Sequence, residues 1–318
     1  MILSEWVKLS SGLLERAGIE NAKNEPFRWL SYISGKNRAF FLSRIGESIE
    51  ALFTLSEMER IEGICSRRQK NEPLAYILGT TGFWGHEFCV GPGVLIPRAD
   101  SESIVEAALG AFGILPFPVG QLIHTEVPEL SGKTSTPGII RLMDLCTGSG
   151  CLGISLALAF LEKGISVKGI LTDISPDALK YADQNIRLHS LQNALMLSSC
   201  DLFPEISEIS DFWGQPEADL MVVNPPYITD HDMSGLMPEV ADYEPQIALR
   251  GGEDGLDFYR RILAEAQPFL ASGGLLVMEH GYDQGESVPA LCRAYGYLHE
   301  QSFHDYGGQP RVTVIRKP

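Results

Sequence analysis

The sequence predicts an α/β fold: a mostly parallel sheet with helices on both faces, preceded by a small N-terminal helical bundle and a β-hairpin linker. Three observations lead there. Beyond Pro137, short apolar runs alternate with stretches of helical length, the pattern of successive βα units. A glycine-rich loop, Asp144-Leu145-Cys146-Thr147-Gly148-Ser149-Gly150, stands between one such run and one such stretch. The first 75 residues have helical apolar spacing and few glycines or prolines.

Within the bundle, Trp6, Leu9, Leu13, Leu14 and Ala17 recur at helical intervals after Ser4, a candidate cap. Ser56 and Glu59 have the spacing of a capping box opening a helix through about Lys70. Four or five helices are expected. Between Tyr76 and Pro97, Gly79, Gly82, Gly85, Gly91 and Gly93 punctuate short aromatic and apolar runs, which reads as a hairpin. The expected division is therefore 1–75, 76–99 and 100–318.

A helix should start near Asp100-Ser101-Glu102. Residues 113–138, with four prolines and four glycines, read as a loop or insertion. Gly132-Lys133-Thr134 resembles the end of a phosphate-binding loop, but Val127 stands where that loop needs glycine. Strands are expected at 139–145, 167–172, 195–199, 220–224 and 275–279. Helices are expected near 151–162, 176–189, 255–271 and 284–294. The run Arg311–Arg316 alternates as an added edge strand would.

Apolar residues make up 44% of the 318 and charged residues 21%, which is globular rather than disordered composition. No apolar run approaches the roughly 20 residues a bilayer span needs, and the N-terminus has no signal-peptide pattern. A cytoplasmic monomer is the expectation. The six cysteines form no CxxC pair and no zinc-ligand spacing with histidine, so no metal is expected, and they read as reduced thiols, most of them buried. Residues 1–75 hold 11 Lys/Arg against 10 Asp/Glu, whereas 76–318 hold 14 against 31. So acidic a body repels a phosphate backbone, which disfavours extended nucleic-acid binding, and attracts a basic protein partner.

Gly148-Ser-Gly150-Cys-Leu-Gly153 satisfies the dinucleotide fingerprint, and Asp173 lies at the end of the next strand, so a nicotinamide enzyme has to be weighed. Three features favour S-adenosylmethionine. Asp144 at the strand end suits an ammonium better than a pyrophosphate. Asp201 closes the following strand, where it could accept from an adenine amino group. The third feature is Asn224-Pro225-Pro226-Tyr227, which follows the strand 220–223. Two prolines stiffen this loop and leave its carbonyls free to accept. The Asn224 side chain and the Pro225 carbonyl could grip both N–H groups of a planar NH2, with the Tyr227 ring against its π-face. Such a grip aims the nitrogen lone pair at a sulfonium methyl, so positioning and local dipoles carry an in-line transfer.

On these residues the chain resembles the HemK/PrmC-type glutamine methyltransferases of peptide chain release factors. The resemblance also takes in Glu72–Gly79, Leu95–Glu102 with Ala99 where proline is usual, Glu279-His280-Gly281 and Asp305-Tyr306-Gly307. Cys146 replaces a usual glycine. The resemblance implies a Rossmann-like class I methyltransferase with a seven-stranded sheet and a helical substrate-recognition domain. It also implies that Cys146, Thr147, Gly148, Ser149 and Gly150 hold the methionine end of S-adenosylmethionine and Asp173 its ribose. Asp201 and Leu202 would border the adenine. Asn224, which also borders the cofactor, would hold the substrate glutamine with Pro225, Pro226 and Tyr227; Asn224, Pro225 and Tyr227 would be the catalytic group. Asp144 would act through water or by orienting the loop. Rival readings are a glutamine methyltransferase acting on a ribosomal protein, a DNA adenine-amino methyltransferase, a nicotinamide oxidoreductase and an inactive binding module.

Overall fold

A computed structural model of the protein describes residues 1–115 and 138–318; the loop read at 113–138 falls almost wholly outside them. The described residues form two compact units, Met1–Gly79 with Met237–Tyr243, and Thr80–Leu236 with Glu244–Pro318.

Over residues 1–79, six helices take the place of the four or five expected: Leu3–Arg16, Glu25–Ser34, Arg38–Leu42, Ile49–Leu52, Leu55–Arg68 and Leu74–Leu78. Three of them are single turns of four or five residues, too short to leave a periodic signal. Leu3, Leu14, Trp29, Leu30, Phe41, Ile49 and Ile61 form the centre of the first unit's core. Leu9, read as part of the apolar face of the first helix, is exposed, and Ile2 rather than Ser4 occupies its N-cap. The capping box lies two residues before the expected one. Thr54 accepts from the Glu57 N–H at 3.3 Å, and Glu57 accepts from the Thr54 N–H at 2.8 Å.

A buried cation ties this unit together. Arg68, 2% exposed, donates from Nε and Nη2 to both oxygens of Glu25 at 2.9 and 2.8 Å. Glu239 accepts from Nη2 at 3.1 Å and the Glu72 carbonyl from Nη1 at 2.6 Å.

The second unit opens with the hairpin β1 (Thr80–Phe83) and β2 (His86–Cys89); residues 76–78, read as part of it, end a helix instead. Trp84 and Gly85 both have positive φ, the twist a two-residue turn between antiparallel strands requires. The main sheet contains β3 (Ile139–Leu145), β4 (Ser166–Asp173), β5 (Leu195–Ser199), β6 (Ala218–Val223), β9 (Leu270–Glu279), β10 (Leu298–His304) and β11 (Pro310–Arg316). A two-stranded parallel pair, β7 (Ile228–Thr229) and β8 (Arg250–Gly252), lies outside it. The order is β10-β11-β9-β6-β3-β4-β5. The contacts β3–β4, β3–β6, β4–β5 and β6–β9 are parallel, and β11 runs against both its neighbours.

Period-two alternation sorts the strand residues between two cores. Leu142, Leu220, Val222, Leu275 and Val277 face one side with Ile104, Ala108, Ile154 and Phe160. Met143, Leu145, Met221, Val223, Leu276 and Met278 face the other with Ile209, Tyr259, Ile262 and Val288. Helices Glu102–Ala111 and Cys151–Glu162 cover the first side; Ile206–Trp213, Asp257–Glu265 and Ser287–Ala294 cover the second.

Two strand readings need correction. Arg311–Arg316 is not an edge strand: β11 is flanked by β9 and β10, and residues 311–315 are all buried. β10 takes the edge. The helix read at 255–271 ends at Glu265, because Pro268 lies just beyond, and β9 starts at Leu270, five residues early. Gly273 and Gly274 interrupt its apolar pattern, and the β6–β9 register shifts between Ala218 and Leu220. The six cysteines are free, but two, Cys151 and Cys292, are buried and four are half-buried, fewer buried than expected. Among the described residues no helix is long and apolar enough to cross a membrane.

Replacing Glu25 with alanine strands the Arg68 charge, so the N-terminal unit should lose about 3 kcal/mol in urea denaturation. A loss under about 1 kcal/mol, the scale of an exposed pair, would mean that Glu239 alone neutralises Arg68.

Candidate functional site

Strand order reverses between β3 and β6, which pair through Leu142–Leu145 and Leu220–Val223. Chain leaving β3 turns to β4 and β5 on one side, and β6 and β9 lie on the other. The carboxyl ends of two adjacent strands thus diverge into a crevice. The glycine loop leaves β3 there, and Asn224–Tyr227 leaves β6.

Asp144 sets the shape of the glycine loop. It is fully buried at the end of β3, and its Oδ2 accepts from the Thr147 hydroxyl at 2.5 Å and the Gly153 N–H at 2.9 Å. Burial pushes its carboxyl up to about 7, against those hydrogen bonds. This is the loop-orienting role expected of it. Thr147 donates its N–H to the Thr172 carbonyl at 2.9 Å, which ties the loop to β4.

Cys146 has φ +53°, in the left-handed region, where a Cβ costs roughly 1–2 kcal/mol. That geometry explains why glycine suits this position. Leu202 is held similarly, at φ +69°, with its carbonyl accepting from the Thr172 hydroxyl at 2.8 Å. Both strained residues line one cavity, as strain concentrated at a ligand site would.

Cys146, Thr147, Gly148, Ser149, Asp173, Asp201, Leu202, Asn224 and Pro226 all line that cavity; Gly150, Pro225 and Tyr227 do not. Asp173, at the end of β4, accepts from the Gly148 N–H at 2.8 Å and the Ser175 N–H at 2.9 Å. Burial raises its carboxyl above the usual range, and those N–H groups oppose the rise. Asp201 is half exposed and pairs with Arg261 at 2.9 Å. Val94, Leu152, Ala178 and Phe258 add apolar wall.

These residues fit S-adenosylmethionine. Asp173 keeps lone pairs for a vicinal diol, and apolar walls suit a purine. Of the arginines in the lining, Arg98 is paired with Glu244 and Arg261 with Asp201. A pyrophosphate would find both already neutralised, whereas a cationic sulfonium and ammonium meet an acidic site. Among the described residues no group of His, Cys, Asp or Glu is placed to hold a metal ion.

The tetrapeptide is held from behind. Asn224 donates from Nδ2 to Ser101 Oγ at 3.1 Å. Tyr227 donates its hydroxyl to Glu279 Oε1 at 3.2 Å, so its phenol points into a polar network. The Gln284 amide donates to the Tyr227 carbonyl at 3.3 Å and the Gly255 carbonyl at 3.1 Å. A Cβ on Gly251 would come within 2.7 Å of the Tyr227 Cα; glycine is needed there for that close approach. Glu279 is fully buried, and burial pushes its carboxyl up to about 7, against hydrogen bonds from Ser101 and Tyr227 and the charge of Arg311. His280, pushed down to about 4 by burial, is neutral.

Sequence reasoning missed Ser101, Gln284, Phe258 and Arg261 as site residues and left Glu279 without a role. Ser101 and Glu279 each sat in a motif that was noticed. Nothing in their spacing placed Ser101 beside Asn224 or Glu279 beside Tyr227.

The family model described as the PrmC N-terminal domain matches residues 5–79. A release factor glutamine methyltransferase of Geobacter sulfurreducens is 35% identical, covering 97% of this chain and 93% of that protein. Another, of Salmonella typhimurium, is 34% identical over 90% of this chain and 89% of its own length. Among solved structures, the hMettl16 catalytic domain in complex with an RNA hairpin superposes with a TM-score of 0.51 at 13% identity, covering 83% of this chain and 82% of that one, a likeness of fold alone. With a class I methyltransferase fold, a crevice suited to S-adenosylmethionine as methyl donor and relatives of this similarity along nearly its whole length, the chain belongs to the release factor glutamine methyltransferase family.

Proposed function

We propose that this protein methylates the side-chain amide nitrogen of a glutamine in a peptide chain release factor, at a Gly-Gly-Gln loop, and so tunes translation termination. The observation that carries the reading is that Asn224 and Pro226 line the same cavity as Cys146–Ser149 and Asp173. An amide-gripping loop and a cofactor cradle thereby share one wall.

When bound, the cofactor supplies an electrophilic methyl on a sulfonium whose departure leaves a neutral thioether. Asp173 would accept from the ribose hydroxyls, the Cys146–Gly150 loop would hold the methionine end, and Asp201 and Leu202 would border the adenine. Asn224 Oδ1 and the Pro225 carbonyl accept the two N–H groups of the glutamine amide. Drawn to one side, these N–H groups leave the nitrogen lone pair aimed across the cavity. Tyr227 closes the loop behind the amide with its hydroxyl fixed on Glu279. No dedicated base is required, since an N-alkylated amide cation is a strong acid that gives its proton to water. Fixed dipoles that need no reorganisation supply most of the acceleration.

We read residues 1–75 as the substrate-recognition domain, 76–99 as the linker and 100–318 as the catalytic domain. Supporting this are the compact unit that takes in Met1–Gly79, together with Met237–Tyr243 from the later chain, and the N-terminal family model over 5–79. The acidic catalytic part favours a protein partner over nucleic acid, and we read the enzyme as a cytoplasmic monomer, the compartment in which a translation factor would meet it.

Labelled S-adenosylmethionine should transfer its methyl to an intact release factor and not to one whose Gly-Gly-Gln glutamine is replaced. Equal labelling of both would overturn the glutamine reading. Asn224→Ala should reduce the transfer rate at least about 100-fold, the scale of losing one oriented dipole, while calorimetry finds cofactor affinity within a few-fold. Equal loss of rate and affinity would remove Asn224 from the substrate side. Asp173→Ala should weaken cofactor binding by about 1–3 kcal/mol; unchanged affinity would take Asp173 out of the site.

A further inference from the structure

Asn185, in the last turn of helix Pro176–Leu188, is fully buried, and its side-chain amide bonds wholly outside its own helix. Oδ1 accepts from the Cys89 N–H at 2.6 Å. Nδ2 donates to the Cys89 carbonyl at 3.0 Å and to the Ser149 carbonyl at 2.8 Å. Both amide protons are thereby used, and the Cys89 N–H admits only the flip that presents Oδ1 to it. Cys89 ends β2 and Ser149 belongs to the glycine loop, so one side chain bonds hairpin and loop together.

A match of spacings makes this fit possible. Four residues of α-helix rise about 6 Å and two residues of strand about 6.7 Å. Side chains four apart on a helix can therefore meet alternate residues of an extended chain. His189 Nε2 stands 2.9 Å from the Glu87 carbonyl, one turn beyond the pairing of Asn185 with Cys89. In the other direction, Tyr181 and Asp177 close against Gly91 and Gly93. A Cβ on Gly91 would overlap the Tyr181 hydroxyl, and one on Gly93 would come within 2.9 Å of Asp177 Cβ. Residues 87–93 are thus fixed in register along the helix. They deliver Gly93, Val94 and Leu95 to the cavity that Ser149 also lines, and Val94 lies 3.8 Å from where a Cβ on Gly148 would stand.

We propose that Asn185 is a positioning residue for the cofactor: it joins Cys89 to Ser149 and so holds two walls of the cavity, residues 93–95 and the glycine loop, at the spacing S-adenosylmethionine needs. The role concerns the cofactor half of the site and holds whichever nitrogen receives the methyl. Without Asn185, the cofactor must draw loop and wall together out of its own binding energy. The loss then falls on affinity rather than on turnover at saturating cofactor.

The test uses the full-length enzyme. Asn185→Asp keeps the acceptor for Cys89 but replaces both donors with an oxygen that repels two carbonyls. Calorimetry should find S-adenosylmethionine bound about 10–100-fold more weakly, the scale of one or two lost hydrogen bonds. At saturating cofactor, kcat should stay within about threefold of the wild type. His189→Ala loosens the same register at Glu87 without touching Ser149, and should leave cofactor affinity within about twofold. Unchanged affinity in Asn185→Asp would overturn the proposal. So would equal falls in affinity and kcat, or equal weakening by His189→Ala, since either marks general loosening.

The wild type gives a readout that no variant's folding can spoil. Cys89 does not line the cavity, yet saturating cofactor should slow exchange of its amide proton about 10-fold, the scale of one net hydrogen bond. The Trp84 amide, which donates to Glu102 at 2.7 Å at the hairpin turn, should change less than about twofold. No slowing at Cys89, or the same slowing at Trp84, overturns the proposal. If the wild type fails to methylate the release factor, the glutamine reading fails, and calorimetry and exchange still decide the role of Asn185.

Discussion

The pairing of β3 with β6 is the constraint on which the site depends. Each strand is buried on both faces, and each ends at the crevice with a loop that cannot continue the ladder. Where their chain directions part, backbone groups at the carboxyl ends have no neighbouring strand to satisfy them. The glycine loop and the double-proline loop both emerge there, a few residues beyond Leu145 and Val223. Cofactor cradle and amide grip are neighbours because their strands are neighbours.

Much of this was legible in the sequence because strand and helix periods leave direct traces. β3 and β5 begin and end at the expected residues, and helix Pro176–Leu188 stops one residue short of its expected end. The glycine loop and Asn224–Tyr227 announced themselves through rare residue combinations. What failed to show was of two kinds. Short or interrupted elements left no period to read: the single-turn helices of the first unit, and β9, whose Gly273 and Gly274 break its apolar run. Partnerships distant in sequence were equally hidden. Ser101 lies 123 residues from Asn224, and each has a plausible local role as a cap or turn residue. β11 was read as an edge strand because Arg311 and Thr313 alternate with Val312 and Val314, which mimics a strand with one exposed face. In the fold, Arg311 is instead buried against Asp305.

Charge in the catalytic unit is organised rather than merely abundant. Asp144 holds a loop, Asp173 and Asp201 face the cavity, and Glu279 stands behind the tetrapeptide. Burial raises Asp144, Asp173 and Glu279 above the ordinary carboxylate range. Each accepts hydrogen bonds from N–H or hydroxyl groups that favour its ionised form. Buried anions of this kind are costly unless such donors are in place. They therefore fix backbone and side-chain orientation more tightly than an apolar contact would.

The same economy explains why the strained positions sit where they do. Cys146 and Leu202 both adopt left-handed backbone, and neither is glycine. Thr172 links them, taking the Thr147 N–H on its carbonyl and giving its hydroxyl to the Leu202 carbonyl. One β-branched residue on a central strand thus braces the two loops on either side of the cavity. At Cys146 the side chain packs against the second core, and burial keeps its thiol protonated, so the residue behaves as a small apolar filler. Glycine there would relieve the strain but return conformational freedom to the unfolded chain and leave the filler's space unoccupied. These effects oppose each other at similar size, which is how a cofactor loop built around glycine tolerates a cysteine.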